Sequence, residues 1–250
     1  RSANARRRRR SPWRRRRAAM KPVLERLRGG LIVSIQPPAA SVLASPTTVA
    51  LLARCAAANG AVGVRIEGIA NVAAVRAAIV LPVVGLVKRA SDGFETYITP
   101  SLADVAGLIA AGADAIAFDA TDRPRSGGAE AGELLAAIRA GGTLAFADCA
   151  RIEDGVRAAK AGAEIVATTL AGYTSETRGR IVPDYDLLER LAAHHSFAVC
   201  EGGIGLPADL RAAFSHGASA VVVGRALSDL DANVARFAAA AKCPVWERRG

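Results

Sequence analysis

The chain has 250 residues, of which 51% are hydrophobic and 4% aromatic. That is enough apolar material for one sizeable core, and the length suits a single barrel as well as two small domains. The formal net charge is +10, but ten arginines and no acidic residue lie within residues 1–19, which leaves 23 basic and 23 acidic residues from Met20 onward. This balance argues against a nucleic-acid-binding surface on the body of the chain.

The arginine-rich composition of residues 1–19 predicts a disordered, self-repelling tail, separate from a folded domain over residues 20–250. The tail could attract polyphosphate, but no specific nucleic-acid partner is expected. The basic stretch lacks the apolar segment of a secretory signal, and no apolar run is long enough to span a membrane. Four cysteines, with no CxxC pair, are typical of reduced thiols. These features predict a cytoplasmic protein with no membrane partner.

Short apolar runs alternate with Ala- and Leu-rich stretches of helical period. The runs predict buried strands at residues 31–35, 62–66, 83–87, 115–118, 143–147, 164–168, 197–200 and 220–223. The stretches between them predict helices, most clearly at 47–58, 102–111, 132–139 and 206–215. Alternation of this kind indicates parallel strands with right-handed crossovers, and eight units predict a single α/β domain of the (β/α)8 TIM-barrel class.

A weak internal repeat supports equivalent turns from helix to strand. Gly60, Gly112, Gly162 and Gly217 each follow a helical stretch and precede an alanine and a strand. Glycine there can adopt the left-handed conformation that closes a helix. These four turns are expected at the amino ends of the strands, opposite the end where barrel enzymes carry their chemistry.

Polar residues stand at the carboxyl ends of all eight predicted strands. They are Ser34 and Gln36, Arg65 and Glu67, Lys88 and Arg89, Asp119 with Thr121 and Asp122, Asp148, Thr168 and Thr169, Glu201, and Arg225. A single polar strand end can be a solvated surface group, whereas a complete ring predicts an active site. No His, Cys, Asp or Glu cluster has metal-ligand spacing, so no metal site is expected.

Glycines follow the last two strands. Gly202 and Gly203 come after strand seven, and Gly224 precedes Arg225 after strand eight. A glycine pair can be no more than a tight turn, but barrels often bind phosphate through backbone N–H groups after strands seven and eight. We therefore expect a phosphate site at Gly202, Gly203, Gly224 and Arg225.

A series of phrases over residues 30–229 resembles the bacterial N-acetylmannosamine-6-phosphate 2-epimerase family. The phrases are Leu31-Ile32-Val33-Ser34 with Gln36, Val64-Arg65-Ile66-Glu67-Gly68, Gly85-Leu86-Val87-Lys88-Arg89, Tyr97-Ile98-Thr99-Pro100, Asp119-Ala120-Thr121-Asp122-Arg123-Pro124, Ala147-Asp148-Cys149, Thr168-Thr169-Leu170-Ala171-Gly172-Tyr173-Thr174 and Cys200-Glu201-Gly202. The chain departs from the family pattern at two places. It usually has arginine where this chain has Gly203, and its loop after strand eight differs from Gly224-Arg225-Ala226-Leu227-Ser228.

The resemblance implies a catalytic pair, Lys88 and Glu201. It also implies that Gln36, Arg65, Asp148, Thr169 and Tyr173 contact a phosphorylated amino sugar, and that no cofactor is needed. In the implied reaction Lys88, with a pKa lowered by burial, Arg65 and Arg89, removes and returns the carbon-2 proton.

The resemblance also implies a homodimer, for which residues 234–241 offer an apolar helix. One alternative remains open, a Schiff-base aldolase that uses Lys88 as its nucleophile.

Overall fold

The computed structural model describes residues 21–241. Within them the chain forms a closed barrel of eight parallel strands, each paired with the next along the chain and β8 paired with β1. The strands are β1 (Leu31–Ile35), β2 (Gly63–Glu67), β3 (Val83–Leu86), β4 (Ala115–Asp119), β5 (Leu144–Asp148), β6 (Ile165–Ala167), β7 (Ala198–Cys200) and β8 (Ala220–Val223). The predicted TIM barrel is confirmed. The predictions for residues 1–19, and residue Cys243, lie outside the described residues.

Helices surround the strands. Residues 21–27 form α1. The others are α2 (Pro46–Ala58), α3 (Ile69–Ala78), α4 (Leu102–Ala110), α5 (Ala131–Ala140), α6 (Ile152–Ala161), α7 (Tyr185–His194), α8 (Pro207–Ser215), α9 (Arg225–Ser228) and α10 (Leu230–Ala241). The four helices named from the sequence are α2, α4, α5 and α8, each correct to within one residue at either end. Local chemistry explains the starts: Ser45 and Ser101 accept N–H hydrogen bonds of the first turns of α2 and α4.

The predicted glycine turns are confirmed. Gly60, Gly112, Gly162 and Gly217 have φ values between 84° and 98°. In each turn the alanine that follows donates its N–H to a carbonyl five residues earlier, which is the bond expected of a Schellman closure. These equivalent turns connect each helix to the next strand at the amino-terminal end of the barrel.

Side chains along the strands alternate between two apolar clusters. One cluster lies between strands and helices and includes Val33 and Ile66. The other fills the barrel axis and includes Ile32 and Phe146, and Leu27 of α1 packs against it. A Cβ added at Gly63 would lie 2.6 Å from a Leu27 methyl group, so this glycine leaves room for Leu27.

The alternation determines which residues reach the top of the axis. Counting two residues beyond the last axial apolar side chain of each strand, or beyond Gly63 in β2, reaches eight positions at the carboxyl ends. They are Ser34, Arg65, Lys88, Asp119, Asp148, Thr169, Glu201 and Gly224. Seven of the eight are polar, so the apolar filling of the axis ends below a polar floor.

Candidate active site

Arg65 is the centre of the polar floor. Its Nη1 and Nη2 donate to Asp148 Oδ1 and Oδ2 at 2.9 and 2.8 Å, and Nη1 also donates to Glu201 Oε2 at 2.7 Å. The guanidinium lies 5.1 Å from the centre of the Phe146 ring below it. Arg65 and Asp148 are almost completely buried. The structure thus brings together three residues predicted from three different strands.

Glu201 carries the excess charge of this cluster. The nearby Arg65 offers one positive charge, whereas Asp148 and Glu201 together would carry two negative charges. Burial raises the pKa of Glu201 to about 7, an effect that Arg65 opposes and Asp148 reinforces. The carboxyl group can therefore gain or lose a proton near neutral pH.

Two adjacent threonines hold Glu201. Thr168 Oγ1 donates to the Glu201 carbonyl oxygen at 2.8 Å and accepts its N–H at 3.0 Å. Thr169 Oγ1 lies 2.7 Å from Asp148 Oδ1 and 3.0 Å from Glu201 Oε2. Both threonines follow β6, beside β7, so Thr168 fixes the backbone of Glu201 and Thr169 contacts its side chain.

Lys88 lies at the exposed mouth above this floor. Its ammonium forms no hydrogen bond or ion pair with any residue from 21 to 241. Partial loss of hydration lowers the pKa of Lys88, and Arg65 lowers it further, against the opposite effects of Glu201, Glu67 and Asp148. An amine with a lowered pKa and no protein partner is free to act on a bound molecule.

One part of the expected lysine environment is wrong. Arg89 was expected to lower the pKa of Lys88, but its guanidinium extends to Asp104 at the start of α4, with Nη2–Oδ1 at 2.7 Å. The next residue along the chain from an inward-facing lysine points outward, because successive side chains of an extended segment alternate. Of the two arginines, Arg65 is the one that is among the main causes of the lowered pKa of Lys88.

The loop between β3 and α4 fixes the backbone of Lys88. Lys88 pairs with Ile98 in an antiparallel bridge, and Arg89 N donates to the Tyr97 carbonyl at 2.9 Å. At the base of the loop Thr99 has φ 46°, a rare value for a β-branched residue. Its hydroxyl donates to the Ala117 carbonyl at 2.6 Å and accepts the Val87 N–H at 3.2 Å, which holds that conformation.

Gln36 and Tyr173 occupy opposite parts of the rim. Gln36 is partly buried and donates to Ser34 Oγ at 2.6 Å. Tyr173 is 53% exposed, and a Cβ added at Gly202 would lie 3.6 Å from its ring. Neither side chain joins the Arg65 cluster directly, so both are available on the open side of the mouth.

The glycines after β7 form a sharply bent loop. Gly202 and Gly203 have φ values of 101° and 77°. A Cβ added at Gly203 would lie 2.6 Å from the backbone of Val182, so only glycine fits there in this conformation. The N–H groups of both glycines donate to no acceptor in the described part of the chain. They are available to an anionic ligand.

The residues after β8 lie at the start of α9. Gly224 packs against Ser34, with 3.4 Å between an added Cβ and the serine Cβ. The Arg225 side chain is 78% exposed and lies 4.0 Å from Asp229 on its own helix turn. The structure therefore does not join Arg225 to the Arg65 cluster. Its charge remains at the exposed edge of the mouth.

Three features of the site did not follow from the sequence. Glu67 was only noted as a polar strand end, but its Oε1 accepts the Lys88 N–H at 3.3 Å. Burial raises the pKa of Tyr97, and Asp148 raises it further, so this phenol faces the floor. Alternation along β2 could have indicated Glu67, which lies two residues beyond Arg65. Tyr97 lies in one of the phrases that carry the family resemblance, but its place beside the floor did not follow from the sequence, because its loop pairs with the segment after β3.

The third feature is a contact among three loops. Glu95 Oε2 accepts from Arg123 Nη1 at 2.8 Å and from Ser175 Oγ at 2.9 Å. Arg123 also donates to Asp119 at 2.8 Å. The loops after β3, β4 and β6 are thereby linked, and these loops carry Lys88, Asp119 and Tyr173. Asp119 belongs to this peripheral set and not to the Arg65 cluster.

A parallel (β/α)8 barrel with a lysine above a buried arginine–carboxylate floor defines a class, the barrel enzymes that act at the carboxyl ends of their strands. The floor contains no redox group. Over residues 21–241 no set of three His, Cys, Asp or Glu residues could hold a metal ion, and no helix is long and apolar enough to cross a membrane.

Comparison with known proteins narrows the class. The family model described as N-acetylmannosamine-6-phosphate epimerase matches residues 49–243. The chain is 45% identical over 204 residues to a protein from Edwardsiella ictaluri that is named as an N-acetylmannosamine-6-phosphate 2-epimerase. The match covers 81% of this chain and 85% of that relative. A protein from Escherichia coli O157:H7 with the same name is 46% identical over 204 residues. That match covers 81% of this chain and 87% of the relative.

Solved structures agree. The N-acetylmannosamine-6-phosphate 2-epimerase from Clostridium perfringens superposes with a TM-score of 0.82 at 35% identity, covering 87% of this chain and 95% of that one. A tryptophan synthase α-subunit from Pyrococcus furiosus, at 18% identity and a TM-score of 0.57, shares the fold alone. The chain belongs to the N-acetylmannosamine-6-phosphate epimerase family, as the resemblance implied.

Proposed function

We propose that this protein interconverts N-acetylmannosamine 6-phosphate and N-acetylglucosamine 6-phosphate, as an N-acylglucosamine-6-phosphate 2-epimerase of amino-sugar and sialic-acid catabolism. The observation that carries this proposal is the Lys88 amine, which has no hydrogen-bond or ion-pair partner within residues 21–241 and lies above the Arg65–Asp148–Glu201 cluster. Family membership supports the choice of substrate. A cytoplasmic location remains a prediction from the sequence.

The chemistry requires a base and a means of stabilising charge. In the open-chain sugar, carbon 2 lies beside the carbon-1 aldehyde. Breaking the carbon-2 C–H bond moves its electron pair into an enolate whose charge rests on the aldehyde oxygen, and the proton forms an N–H bond on neutral Lys88. Return of a proton to the opposite face inverts carbon 2. Glu201, which titrates near neutral pH, is placed to exchange a proton with a substrate oxygen.

Five side chains are proposed to contact the sugar. They are Gln36, Arg65, Asp148, Thr169 and Tyr173. Arg65 and Asp148 form the floor on which the sugar would rest, and exposed Tyr173 offers an aromatic face at the rim. The buried Arg65–Asp148 pair holds both groups in one geometry, which is the requirement for orienting a reacting carbon.

The phosphate is proposed to bind at Gly202, Gly203, Gly224 and Arg225. The support is the pair of unengaged glycine N–H groups after β7 and the exposed guanidinium after β8. Backbone N–H groups and a guanidinium both donate to phosphate oxygens. This assignment predicts a strong preference for phosphorylated over free amino sugar.

A homodimer is also proposed, through the C-terminal helix. Leu230, Val234 and Phe237 of α10 recur at spacings of four and three residues, Leu227 of α9 precedes them, and the four side chains are 57–70% exposed. An exposed stripe of this kind is costly unless a partner covers it. Light scattering of Val234→Asp should then report monomer where the unaltered chain reports dimer. A dimer that survives Val234→Asp and Phe237→Asp together would contradict this face.

The function is tested with purified protein and N-acetylmannosamine 6-phosphate, followed by proton NMR. We expect N-acetylglucosamine 6-phosphate to appear, with far slower conversion of unphosphorylated N-acetylmannosamine. Borohydride added during turnover should trap no covalent adduct on Lys88. A trapped adduct together with a smaller carbonyl product would favour the aldolase instead, and absence of any conversion would contradict the proposal.

A further inference from the structure

Thr169 has one hydroxyl hydrogen and two acidic neighbours. Its Oγ1 lies 2.7 Å from Asp148 Oδ1 and 3.0 Å from Glu201 Oε2. A hydroxyl can donate only one hydrogen bond. If both acids were ionised, one contact would place two oxygen lone pairs against each other.

Arg65 does not remove this conflict. Its Nη1 has two hydrogens, and these already serve Asp148 Oδ1 and Glu201 Oε2. Its Nη2 donates to the other oxygen of Asp148. A second hydrogen between Thr169 and Glu201 has to come from the acid itself, since no other donor lies between these two oxygens in the described chain.

The shorter contact favours donation from Thr169 to Asp148. The Thr169 hydroxyl is closer to Asp148, which is almost fully buried beside Arg65 and is best placed to remain ionised. Donation in that direction leaves the Thr169 oxygen as an acceptor facing Glu201. Because one positive charge faces two acids here, a single added proton also leaves the cluster neutral.

We propose that Thr169 is a positioning residue, which accepts a hydrogen bond from the protonated Glu201 carboxyl and donates one to the Asp148 carboxylate. The proposed effect of Thr169 on substrate rests on the proposed function, whereas the hydrogen bonds among Thr169, Asp148 and Glu201 do not. It adds to the proposed sugar contact of Thr169 a second role, in which the hydroxyl acts on substrate through Glu201. In the free protein the bridge holds a proton on Glu201, ready for transfer to a sugar oxygen.

Other groups that face Glu201 do not supply this proton. The charged groups are Arg65 from β2, Lys88 after β3 and Asp148 from β5, with Glu67 and Tyr97 close to Lys88 and Arg65 in turn. Cys200 precedes Glu201 on β7 and packs on the other side of the strand, between strands and helices. The ammonium of Lys88 makes no direct contact within residues 21–241. The thiol of Cys200 stays neutral because burial raises its pKa to about 12.

The direction of the hydrogen bond between Thr169 and Glu201 determines whether the hydroxyl raises or lowers the pKa of Glu201. If the Thr169 hydroxyl donated to Glu201, it would lower the pKa of Glu201, whereas a hydroxyl that accepts from the protonated acid raises that pKa. In the proposed bridge, Thr169 makes two hydrogen bonds when Glu201 is protonated, one from Glu201 and one to Asp148, and only one when Glu201 is ionised. Loss of the hydroxyl should therefore lower the titration midpoint of Glu201 by about half to one pH unit, the equivalent of one modest hydrogen bond.

Carbon-13 NMR of protein labelled at the glutamate carboxyl measures this midpoint directly, with the Glu201→Gln spectrum assigning the signal. The unaltered chain should titrate at about 7. Thr169→Val should move the midpoint down, Thr169→Ser should retain it, and Thr143→Val, at the opposite end of β5, should leave it unchanged. Thr169→Ala serves as a second test if Thr169→Val does not fold.

Two outcomes would overturn the proposal. One is a rise or no change of the Glu201 midpoint in Thr169→Val or Thr169→Ala. The other is a wild-type midpoint below about 5, which is the range of an ordinary glutamate. Because the titration uses free protein and no turnover, it can fail while the epimerase assay succeeds, and the reverse, so the two proposals are judged separately.

Discussion

Arg65 and Asp148 join β2 to β5 at two points, with Nη1–Oδ1 at 2.9 Å and Nη2–Oδ2 at 2.8 Å, and their side chains are 2% and 0% exposed. Glu201 completes the group through the same Nη1. Since three strands meet at one guanidinium, the pair has a structural role as well as the proposed role toward substrate.

Removing one partner of this pair should destabilise the fold. Asp148→Ala leaves a buried guanidinium without its main counter-charge, a change that costs about 3–5 kcal/mol in comparable buried pairs. Urea unfolding measures the loss. Asp186→Ala is the matched control, because Asp186 pairs with Arg190 at 3.8 Å on the exposed face of α7, and its loss should leave stability nearly unchanged. Equal effects of the two substitutions would contradict the importance of the buried pair.

The second prediction concerns pH. Lys88 must be neutral to accept a proton, so kcat/KM should rise as pH rises through the lowered pKa of Lys88. Glu67 raises that pKa, so Glu67→Gln should lower it further and move the rising limb to lower pH. Glu153→Gln, on the exposed side of α6, should leave the limb in place. A shift of the Glu67→Gln profile to higher pH would show that Glu67 acts in another way.

The third prediction concerns the contact among the three loops. Glu95→Ala removes the acceptor for Arg123 and Ser175, so the loops carrying Lys88 and Tyr173 lose a common tie. We expect KM to rise about two- to fivefold with a smaller change in kcat, because the contact is exposed and orders the mouth without touching the reacting carbon. Ser175→Ala should give part of the same effect. Steady-state kinetics that show an unchanged KM in both variants would reject this role.

The fourth prediction separates backbone strain from collision at the proposed phosphate loop. Gly203→Ala introduces a Cβ 2.6 Å from the Val182 backbone at φ 77°, whereas Gly179→Ala has a similar φ of 89° and open space. Positive φ alone should cost about 1 kcal/mol in both variants, and the collision should add about 1–3 kcal/mol at Gly203. Urea unfolding compares them. The KM for phosphorylated sugar should rise in Gly203→Ala alone, and a rise of equal size in Gly179→Ala would count against the loop as the phosphate site.

The fifth prediction tests the charge after β8. Arg225→Ala should raise the KM for phosphorylated sugar and leave kcat nearly unchanged, because the exposed guanidinium is proposed to bind the phosphate and takes no part in proton transfer. Arg190→Ala, on α7, is the control. A large fall in kcat with unchanged KM would assign Arg225 a different role.

The alternation of apolar residues made the barrel and its polar floor predictable. Each strand places its inward side chains two residues apart, so the position of Lys88, Asp148 or Glu201 follows once the strand is recognised. The ion pairs among them did not follow, because they depend on which strands face each other across the axis. Arg89 was misjudged for a related reason: proximity in sequence to Lys88 places it on the opposite side of the segment, beside Asp104.

Loop chemistry was the least predictable part. Gly203 was read as a departure from a family arginine, and its close approach to Val182 became visible only in three dimensions. Tyr97 faces the floor because its loop pairs with the segment after β3, a contact set by tertiary structure and not by local propensity. Thr169 was predicted to contact substrate from the resemblance alone. Its position between Asp148 and Glu201 depends on two acids from neighbouring strands, which the sequence does not bring together.

The central claim is that Lys88 removes and returns the proton on carbon 2. Solvent exchange tests it most directly, because a proton held on an ammonium group can be replaced by deuterium before it returns. In deuterated water the N-acetylglucosamine 6-phosphate formed should carry deuterium at carbon 2, and Lys88→Ala should reduce its formation at least about 100-fold. Epimerisation by the unaltered protein with no deuterium at carbon 2, and with no isotope effect from substrate deuterated at that carbon, would contradict the account.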